Sequence, residues 1–146
     1  SRSDGVLVLA DAPLRNTPIA IQAEPTPEFV NVVQEEVNGF LDACATQQVL
    51  QPTGCPFGFF VTNRIVAPPE WSMAEYPVVN VVPHGADWRI VPADGRAHIN
   101  VGVRSLFDGS VRNVDEDVEF TIDGTITLLG DGTISIRVGG GEQGLD

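Results

Sequence analysis

Lysine is absent from this sequence, so all eight basic residues are arginines, and twenty aspartates and glutamates give a formal net charge of −12. A surface with this balance repels phosphate backbones and anionic headgroups, which argues against binding to nucleic acid or to a membrane surface. No apolar run approaches the roughly 20 residues that span a bilayer, and no signal peptide is recognisable. The remaining composition is that of one folded domain.

Methionine is scarce, since Met73 is the only one, and the chain begins with Ser1. We therefore expect the chain to be an excised or processed piece of a longer polypeptide. A targeting or membrane segment could lie in the part that precedes it. The lack of such a segment here does not indicate a cytoplasmic protein.

Cysteine is equally scarce, with Cys44 and Cys55 separated by a stretch that contains Gln, Pro and Gly. A zinc site needs three or four ligands, but His84 and His98 lie far along the chain from the cysteines and from each other. The CxxC spacing of redox enzymes is missing as well. The pattern therefore predicts no metal or other cofactor and favours a disulfide, with two reduced, buried thiols as the alternative. A disulfide would place the protein in an oxidising space outside the cytosol.

One amphipathic helix is predicted over residues 26–45. Thr26 is a good N-cap residue, and Pro27 suits the first helical position. Apolar residues recur along one side at spacings of three and four, namely Phe29, Val30, Val33, Val37, Phe40, Leu41 and Cys44. The helix thus presents an apolar face with Cys44 near its end, and a turn at residues 51–54 leads to Cys55.

The chain after the helix has the composition and alternation of β-strands. We expect strands over FGFFV (57–61), over WSMAEYPVVNVVP (71–83) with a break at Pro77, over DWRIV (87–91) and over AHINVGVRSLF (97–107). In the last of these, alternate residues fall on an apolar face and a polar face.

Two hairpins compete in the segment that follows, one turning at Gly124 and one at residues 130–132. A turn at Gly124 sets Phe120 opposite Thr127, which mixes apolar and polar faces. A turn at 130–132 sets Ile126 opposite Ile136, which keeps the faces separate. We therefore expect one long strand over residues 118–129, with Gly124 as a bend or bulge.

Both ends of the chain differ from its centre. Within residues 1–25, VLVLA and PIAIQ have the pattern of two more strands, which either join the same sheet or form the end of a preceding β module. Residues 139–146 are rich in glycine and polar residues, so we expect a flexible tail. We treat residues 1–146 as a single domain, with residues 26–138 as its helix and sheet.

The predicted fold class is α+β, with one long helix in the N-terminal half packed on a curved antiparallel β-sheet. A long strand bent at a glycine curves its sheet, and one amphipathic helix needs a concave apolar surface to cover. The order of helix and then strands resembles the cystatin-like and NTF2-like rolls. This is a resemblance of architecture, without a diagnostic motif.

Two strings, PTPEFVNVVQEEVNGFLDACATQQVLQPTGCPFG and VEFTIDGTITLLGDG, resemble the extracytoplasmic part of membrane-anchored proteins from high-GC Gram-positive bacteria. The likeness covers roughly residues 20–138. It implies a cytoplasmic or transmembrane segment before the domain, a recurring cysteine pair, and a location at the cell surface or outside the cell. It implies no activity and no catalytic residue.

A pocket is the most specific candidate site. The open end of a helix-on-sheet roll can be lined by apolar side chains, and a carboxyl group placed there has a raised pKa, so it can act as an acid, a base or a ligand anchor. The candidate lining residues are Phe57, Phe59, Trp71, Glu75, Tyr76, Asp87 and Trp88. The alternative is that the aromatic residues fill the core, as most do.

No catalytic constellation is recognisable among the other titratable residues. We expect His84, in a Pro/Gly turn, and His98, on the polar face of its strand, to be exposed. Asp115, Glu116 and Asp117 lack the spacing of an EF-hand. We expect them at a solvated strand entry rather than around a calcium ion.

Two hypotheses about function follow. In the first, the chain is a non-catalytic extracytoplasmic module of a larger membrane-anchored protein and binds a protein, cell-wall or small-molecule partner. It predicts exposed carboxylates and an apolar surface patch. In the alternative, the chain is a small-molecule enzyme similar to an isomerase or dehydratase. That hypothesis predicts a deep pocket with Glu75 or Asp87 desolvated inside it.

Overall fold

A computed structural model of the protein describes residues 2–9 and 24–141. Within them the chain forms one helix and seven strands: β1 (Arg2–Leu9), α1 (Pro27–Ala45), β2 (Arg64–Ile65), β3 (Glu70–Glu75), β4 (Val81–His84), β5 (Asp87–Arg104), β6 (Val111–Leu128) and β7 (Ile134–Gly141). The strands make one antiparallel sheet in the order β1-β7-β6-β5-β2, with β3 and β4 also paired to β5. The fold class is therefore α+β, with a helix on a curved sheet, as predicted.

Helix α1 begins where its capping residues predict. Thr26 is extended and its Oγ1 accepts the N–H of Phe29 at 3.1 Å, with Pro27 in the first turn. Because apolar residues recur every three or four positions, one face is buried, through Phe29, Val33, Val37, Leu41 and Cys44. Phe40, also predicted for this face, is only partly buried, since Leu41 takes the position that continues the buried row.

Cys44 and Cys55 form the predicted disulfide, with their sulfur atoms 2.09 Å apart and their Cα atoms 5.9 Å apart. Both residues are buried in the core. The side chain of Gln47 closes the same loop a second time, since its Nε2 donates to the carbonyl of Thr53 at 3.1 Å and its Oε1 accepts the N–H of Thr53 at 3.0 Å. The end of α1 is thus fixed to the chain that leaves it.

The segment after Cys55 is not a strand, so the prediction for residues 57–61 is wrong. Phe57 is fully buried, but the neighbouring edge of β5 is already occupied by β3 and β2. The backbone therefore bonds elsewhere, and the N–H of Phe59 donates to the carbonyl of Leu50 at 2.8 Å. After the helix, the chain joins the sheet only at Arg64.

Strand β5 contains two segments that were predicted as separate strands. It runs for 18 residues, from DWRIV through most of AHINVGVRSLF. Between Ile90 and Ala93 it carries one extra residue, because these two residues face Gly124 and Ile122 on β6. The bulge thus lies on β5, across from the glycine that was predicted to bend β6. β5 also ends at Arg104, three residues before the predicted end.

Strands β6 and β7 pair in the predicted register. Ile126 lies opposite Ile136. In the connecting turn the N–H of Leu129 donates to the carbonyl of Thr133 at 2.9 Å, and Gly132 has a φ of 88°, which glycine adopts at little cost. β6 is also longer than predicted, since it starts at residue 111 and not at 118.

Strand β1 joins the same sheet, since it pairs with β7 from Arg2 opposite Gly141 to Leu9 opposite Ile134. The predicted strand VLVLA falls largely within β1. Residues 139–141 of the predicted tail belong to β7. The predicted strand PIAIQ and residues 142–146 lie outside the described residues.

The core lies between α1 and the inner face of the sheet. Its largest fully buried side chains include Phe29, Phe57, Phe120, Leu41, Ile99 and Ile126. Because side chains alternate along a strand, the residues between the buried ones point to the outer face, where His98 and Asp117 lie opposite each other. The outer face is therefore polar.

Candidate functional site

Three of the predicted pocket residues fill the core. The ring of Phe57 lies 4.8 Å from that of Trp71 and 5.5 Å from that of Phe120. The ring of Trp88 lies 5.5 Å from that of Phe29 on α1. Phe57, Trp71 and Trp88 are at most 8% exposed. Phe57 and Trp71 pack against each other, and Trp88 packs against the helix.

The predicted carboxylates lie outside the core. Glu75 binds Arg96 at 2.8 Å on the outer face, and its side chain is 56% exposed. Asp87 is half-buried beside the turn that joins β4 and β5, opposite His84. Tyr76 is 37% exposed and donates its hydroxyl to Asp42 on α1, a bond that raises the pKa of Tyr76. The structure does not bring these residues together with the aromatic rings.

A cavity of about 170 Å³ lies on the inner face between residues 59–63 and the ends of β5 and β6. Val103 and Val114 form part of its wall, and its charged groups are Arg112 and Glu116. Of the predicted pocket residues, Phe59 alone lines it.

An open depression of about 300 Å³ on the outer face is lined by Thr125, Thr127, Ser135 and Arg137. Neither cavity reaches the two predicted carboxylates.

His98 lies on the outer face between two carboxylates. Its Nδ1 is 2.7 Å from Oδ1 of Asp117, and its Nε2 forms an ion pair with Asp115. These bonds, to Asp117 and to Asp115, raise the pKa of His98. Two of the acids predicted for a strand entry therefore lie inside β6 and contact a histidine. Within residues 24–141, no group of three or more His, Cys, Asp or Glu side chains is placed to hold a metal ion.

The connection between β5 and β6, residues 105–110, is a tight turn whose side chains fix its shape. Ser105 Oγ accepts the N–H groups of Phe107 and Asp108 at 3.1 and 3.3 Å. Asp108 in turn accepts the N–H and the hydroxyl of Ser110 at 2.9 and 2.7 Å, and these bonds lower the pKa of Asp108. Gly109 has a φ of 75°, which suits glycine. The turn is therefore held in one conformation by its own hydrogen bonds.

This ordered turn exposes two adjacent apolar side chains. Leu106 is 67% exposed and Phe107 is 96% exposed, while the N–H of Leu106 donates to Asn63 at 3.2 Å. Other exposed apolar side chains lie nearby, namely Phe60, Val66 and Val111. We call residues 59–66 and 102–113 together the hairpin end. It is an apolar patch at the end of the two longest strands.

Arginines surround this patch on both faces of the sheet. Arg64 and Arg104 are opposite each other in the β2–β5 pair, so they share a face. Arg112 lies opposite Val103, whose side chain is buried, so Arg112 belongs to the inner face. The hairpin end thus contains three arginines and a single acid, Asp108, in a chain whose net charge is −12.

Sequence patterns did not reveal the hairpin end. Leu106 and Phe107 follow a strand that alternates well, which favoured a strand through residue 107. The available signal is the string SLFDGS, in which two apolar residues precede an Asp-Gly turn pair. Arg64 is distant in sequence from Leu106 and Phe107, and its position near them follows only from the pairing of β2 with β5.

Comparison with protein-family models, with curated proteins and with solved structures finds no significant match to this chain. Among the residues described, no helix has both the length and the apolar character needed to cross a membrane.

Proposed function

We propose that this chain is a non-catalytic interaction module and that the hairpin end is its contact surface. The observation that carries the proposal is the exposure of Leu106 and Phe107 on a turn that hydrogen bonds hold in place. A cluster of large apolar side chains exposed to water marks a contact surface, whereas apolar side chains exposed singly are common and carry no such meaning. Aromatic residues and arginine, the types gathered here, are also those enriched where proteins bind partners.

We further propose that the module works outside the cytoplasm as part of a larger membrane-anchored protein. The disulfide between Cys44 and Cys55 supports an oxidising compartment. The resemblance to extracytoplasmic domains of high-GC Gram-positive bacteria supports the same location. We also propose that the domain has the architecture of the cystatin-like and NTF2-like rolls, which the helix on a curved sheet supports.

The alternative, an enzyme resembling an isomerase or dehydratase, receives less support from the positions of its key groups. It requires a carboxyl group desolvated in an apolar cavity. Glu75 is more than half exposed and paired with Arg96, and Asp87 lies beside a surface turn. The aromatic residues that would line the cavity pack into the core instead.

The proposal is tested by binding to a panel of defined probes. The probes are anionic lipid vesicles, purified peptidoglycan and an immobilised acidic peptide. The test variant is Leu106→Ser/Phe107→Ser. The matched control is Val78→Ser, which removes an equally exposed apolar side chain (68%) from the segment between β3 and β4.

We expect at least one probe to bind the wild type and the control, and to bind the double variant at least tenfold more weakly. All three proteins should share one denaturation midpoint, because the altered side chains are exposed. If no probe binds, or if the double variant binds as tightly as the control, the hairpin end is not a contact surface.

A further inference from the structure

We infer that the partner of the hairpin end is the surface of an anionic lipid bilayer, with Leu106 and Phe107 inserted among the headgroups and the arginines at the phosphates. This inference rests on the proposed function, because it names the partner of that same surface. It differs from what the total charge of the chain indicates. The charge close to the hairpin end, and not the net charge, therefore decides whether this contact forms.

The shape of the patch fits a bilayer better than it fits a protein groove. Phe107 is 96% exposed, so its ring contacts almost nothing of this chain. It stands at the apex of a β-hairpin together with Leu106, and in its turn the N–H groups of Phe107 and Asp108 donate hydrogen bonds to Ser105 Oγ. An ordered apex loses little conformational entropy when it inserts. Aromatic rings are also favoured at the level of the headgroups.

The arginines lie where phosphates would lie around an inserted apex. Arg104 is three residues before Phe107, at most about 10 Å of chain away, and its guanidinium donates to the carbonyl of Gly109 at 3.0 Å. Arg64 flanks Arg104 on one face of the sheet, and Arg112 lies on the other face. The three arginines therefore lie behind the apolar apex, on both faces of the sheet. Their guanidinium groups bind phosphate well.

The hairpin end keeps a local excess of positive charge, because its three arginines outnumber its one ionised acid, Asp108. Asp108, the one acid in the turn, directs its carboxylate to the N–H and hydroxyl of Ser110. Asp115 and Glu116 are three and four residues beyond Arg112 along β6, roughly 10 to 13 Å behind it. Glu116 nonetheless lines the same cavity as Arg112 and offsets part of its charge on the inner face. The remaining acids would repel the membrane and so leave the hairpin end as the one face that approaches it.

Vesicle binding tests this inference directly. We compare sedimentation with vesicles of phosphatidylglycerol and phosphatidylcholine in equal parts and with vesicles of phosphatidylcholine alone. The variants are Leu106→Ser/Phe107→Ser and Arg64→Gln/Arg112→Gln. Arg89→Gln is the matched control, since Arg89 lies near the other end of β5, in the pair with β4. Arg104 is left intact because it also binds the turn.

We expect binding to the anionic vesicles and little to the neutral ones. The Leu106/Phe107 variant should lose more than about tenfold in partition coefficient through lost apolar burial. The Arg64/Arg112 variant should lose roughly thirtyfold through lost charge, and Arg89→Gln should bind like the wild type. In Phe107→Trp, the emission of the new tryptophan should shift to shorter wavelength when anionic vesicles are added, above the constant signal of the buried Trp71 and Trp88.

Each outcome separates the inference from the proposal beneath it. If the anionic vesicles do not bind while peptidoglycan or the acidic peptide binds through Leu106 and Phe107, the partner is not a membrane, but the contact surface stands. If the wild type binds the vesicles and both double variants bind them as tightly as the wild type does, the membrane contact lies elsewhere and the inference is wrong. If no probe binds at all, both fail together.

Discussion

Gly124 lies so close to the backbone of Arg137 on the neighbouring strand that a β-carbon at position 124 would stand 2.6 Å from the carbonyl oxygen of Arg137. The same β-carbon would lie 3.2 Å from Cδ1 of Ile90. The glycine is therefore required by a close approach of two strands next to the bulge on β5. Its φ is not positive, so the requirement is for space and not for an unusual backbone conformation.

Replacing Gly124 should thus destabilise the fold. Gly124→Ala must push β7 away or shift Ile90, and such overpacking costs about 1–3 kcal/mol. The measurement is the free energy of unfolding in urea. Gly130→Ala is the matched control, because a β-carbon at Gly130 meets nothing within 4 Å. Equal stability of the two variants would show that the strands separate freely at this point.

The disulfide should contribute a large share of the stability. Cys44→Ala/Cys55→Ala should lower the free energy of unfolding by about 2–4 kcal/mol, because the bond restricts the unfolded chain. Reductant should destabilise the wild type by a similar amount and leave the double variant unchanged, which serves as the control. Mass spectrometry of the unreduced protein checks the bond itself. Two free thiols there would remove both this prediction and the support for an oxidising compartment.

The parts of the fold that were predicted correctly depend on short-range patterns. Thr26 followed by Pro27 marks a helix start through one local hydrogen bond, and the structure contains that bond. The pairing of Ile126 with Ile136 follows from a short turn, and a slip of one residue would place polar side chains in the core. In both cases a few neighbouring residues determine the outcome.

The parts that were missed depend on distant partners. The segment around Phe57 alternates like a strand, but whether it pairs depends on which edge of β5 is free, and β3 occupies that edge. Likewise, Ser105 ends β5 by bonding the next N–H groups. The position of Arg64 beside the turn exists only because β2 joins β5 at its end. No local pattern contains that information.

The side chain of Gln34 should be one of the main links between α1 and the segment that joins β3 to β4. Its Nε2 donates to the carbonyl of Pro77 at 2.9 Å, and its Oε1 accepts the N–H of Val79 at 2.8 Å. Val79 is buried, so Gln34→Ala leaves partly buried backbone groups without these partners, at a cost of about 1–3 kcal/mol.

The measurement for Gln34→Ala is again the free energy of unfolding. Glu35→Ala, at the next and exposed position of the same helix, is the control and should change stability by at most about 0.5 kcal/mol. Because Gln34 contacts the segment between β3 and β4, hydrogen exchange of the Val79 amide should also accelerate in the variant. Unchanged exchange at Val79 would mean that water replaces the glutamine at little cost.

The pair of carboxylates around His98 should make stability depend on pH in a defined direction. Asp117 and Asp115 raise the pKa of His98 above its ordinary value of 6.5, so the folded state holds the proton more tightly than the unfolded state. The resulting stabilisation is fully present below about pH 6.5 and is lost as the pH rises through the raised pKa. It should remain below about 1 kcal/mol, because the side chain is a third exposed and solvent screens the pair.

Denaturation midpoints measured from about pH 6 to pH 9 check this prediction. The wild type should lose stability across that range, and His98→Gln should lose less of it, because glutamine carries no proton to release. His84→Gln removes the other histidine of the chain, which is exposed at the end of β4, and should follow the wild type. An NMR titration of the His98 ring gives an independent result: a midpoint at or below 6.5 would show that the two carboxylates do not hold the proton, whatever the stability curves show.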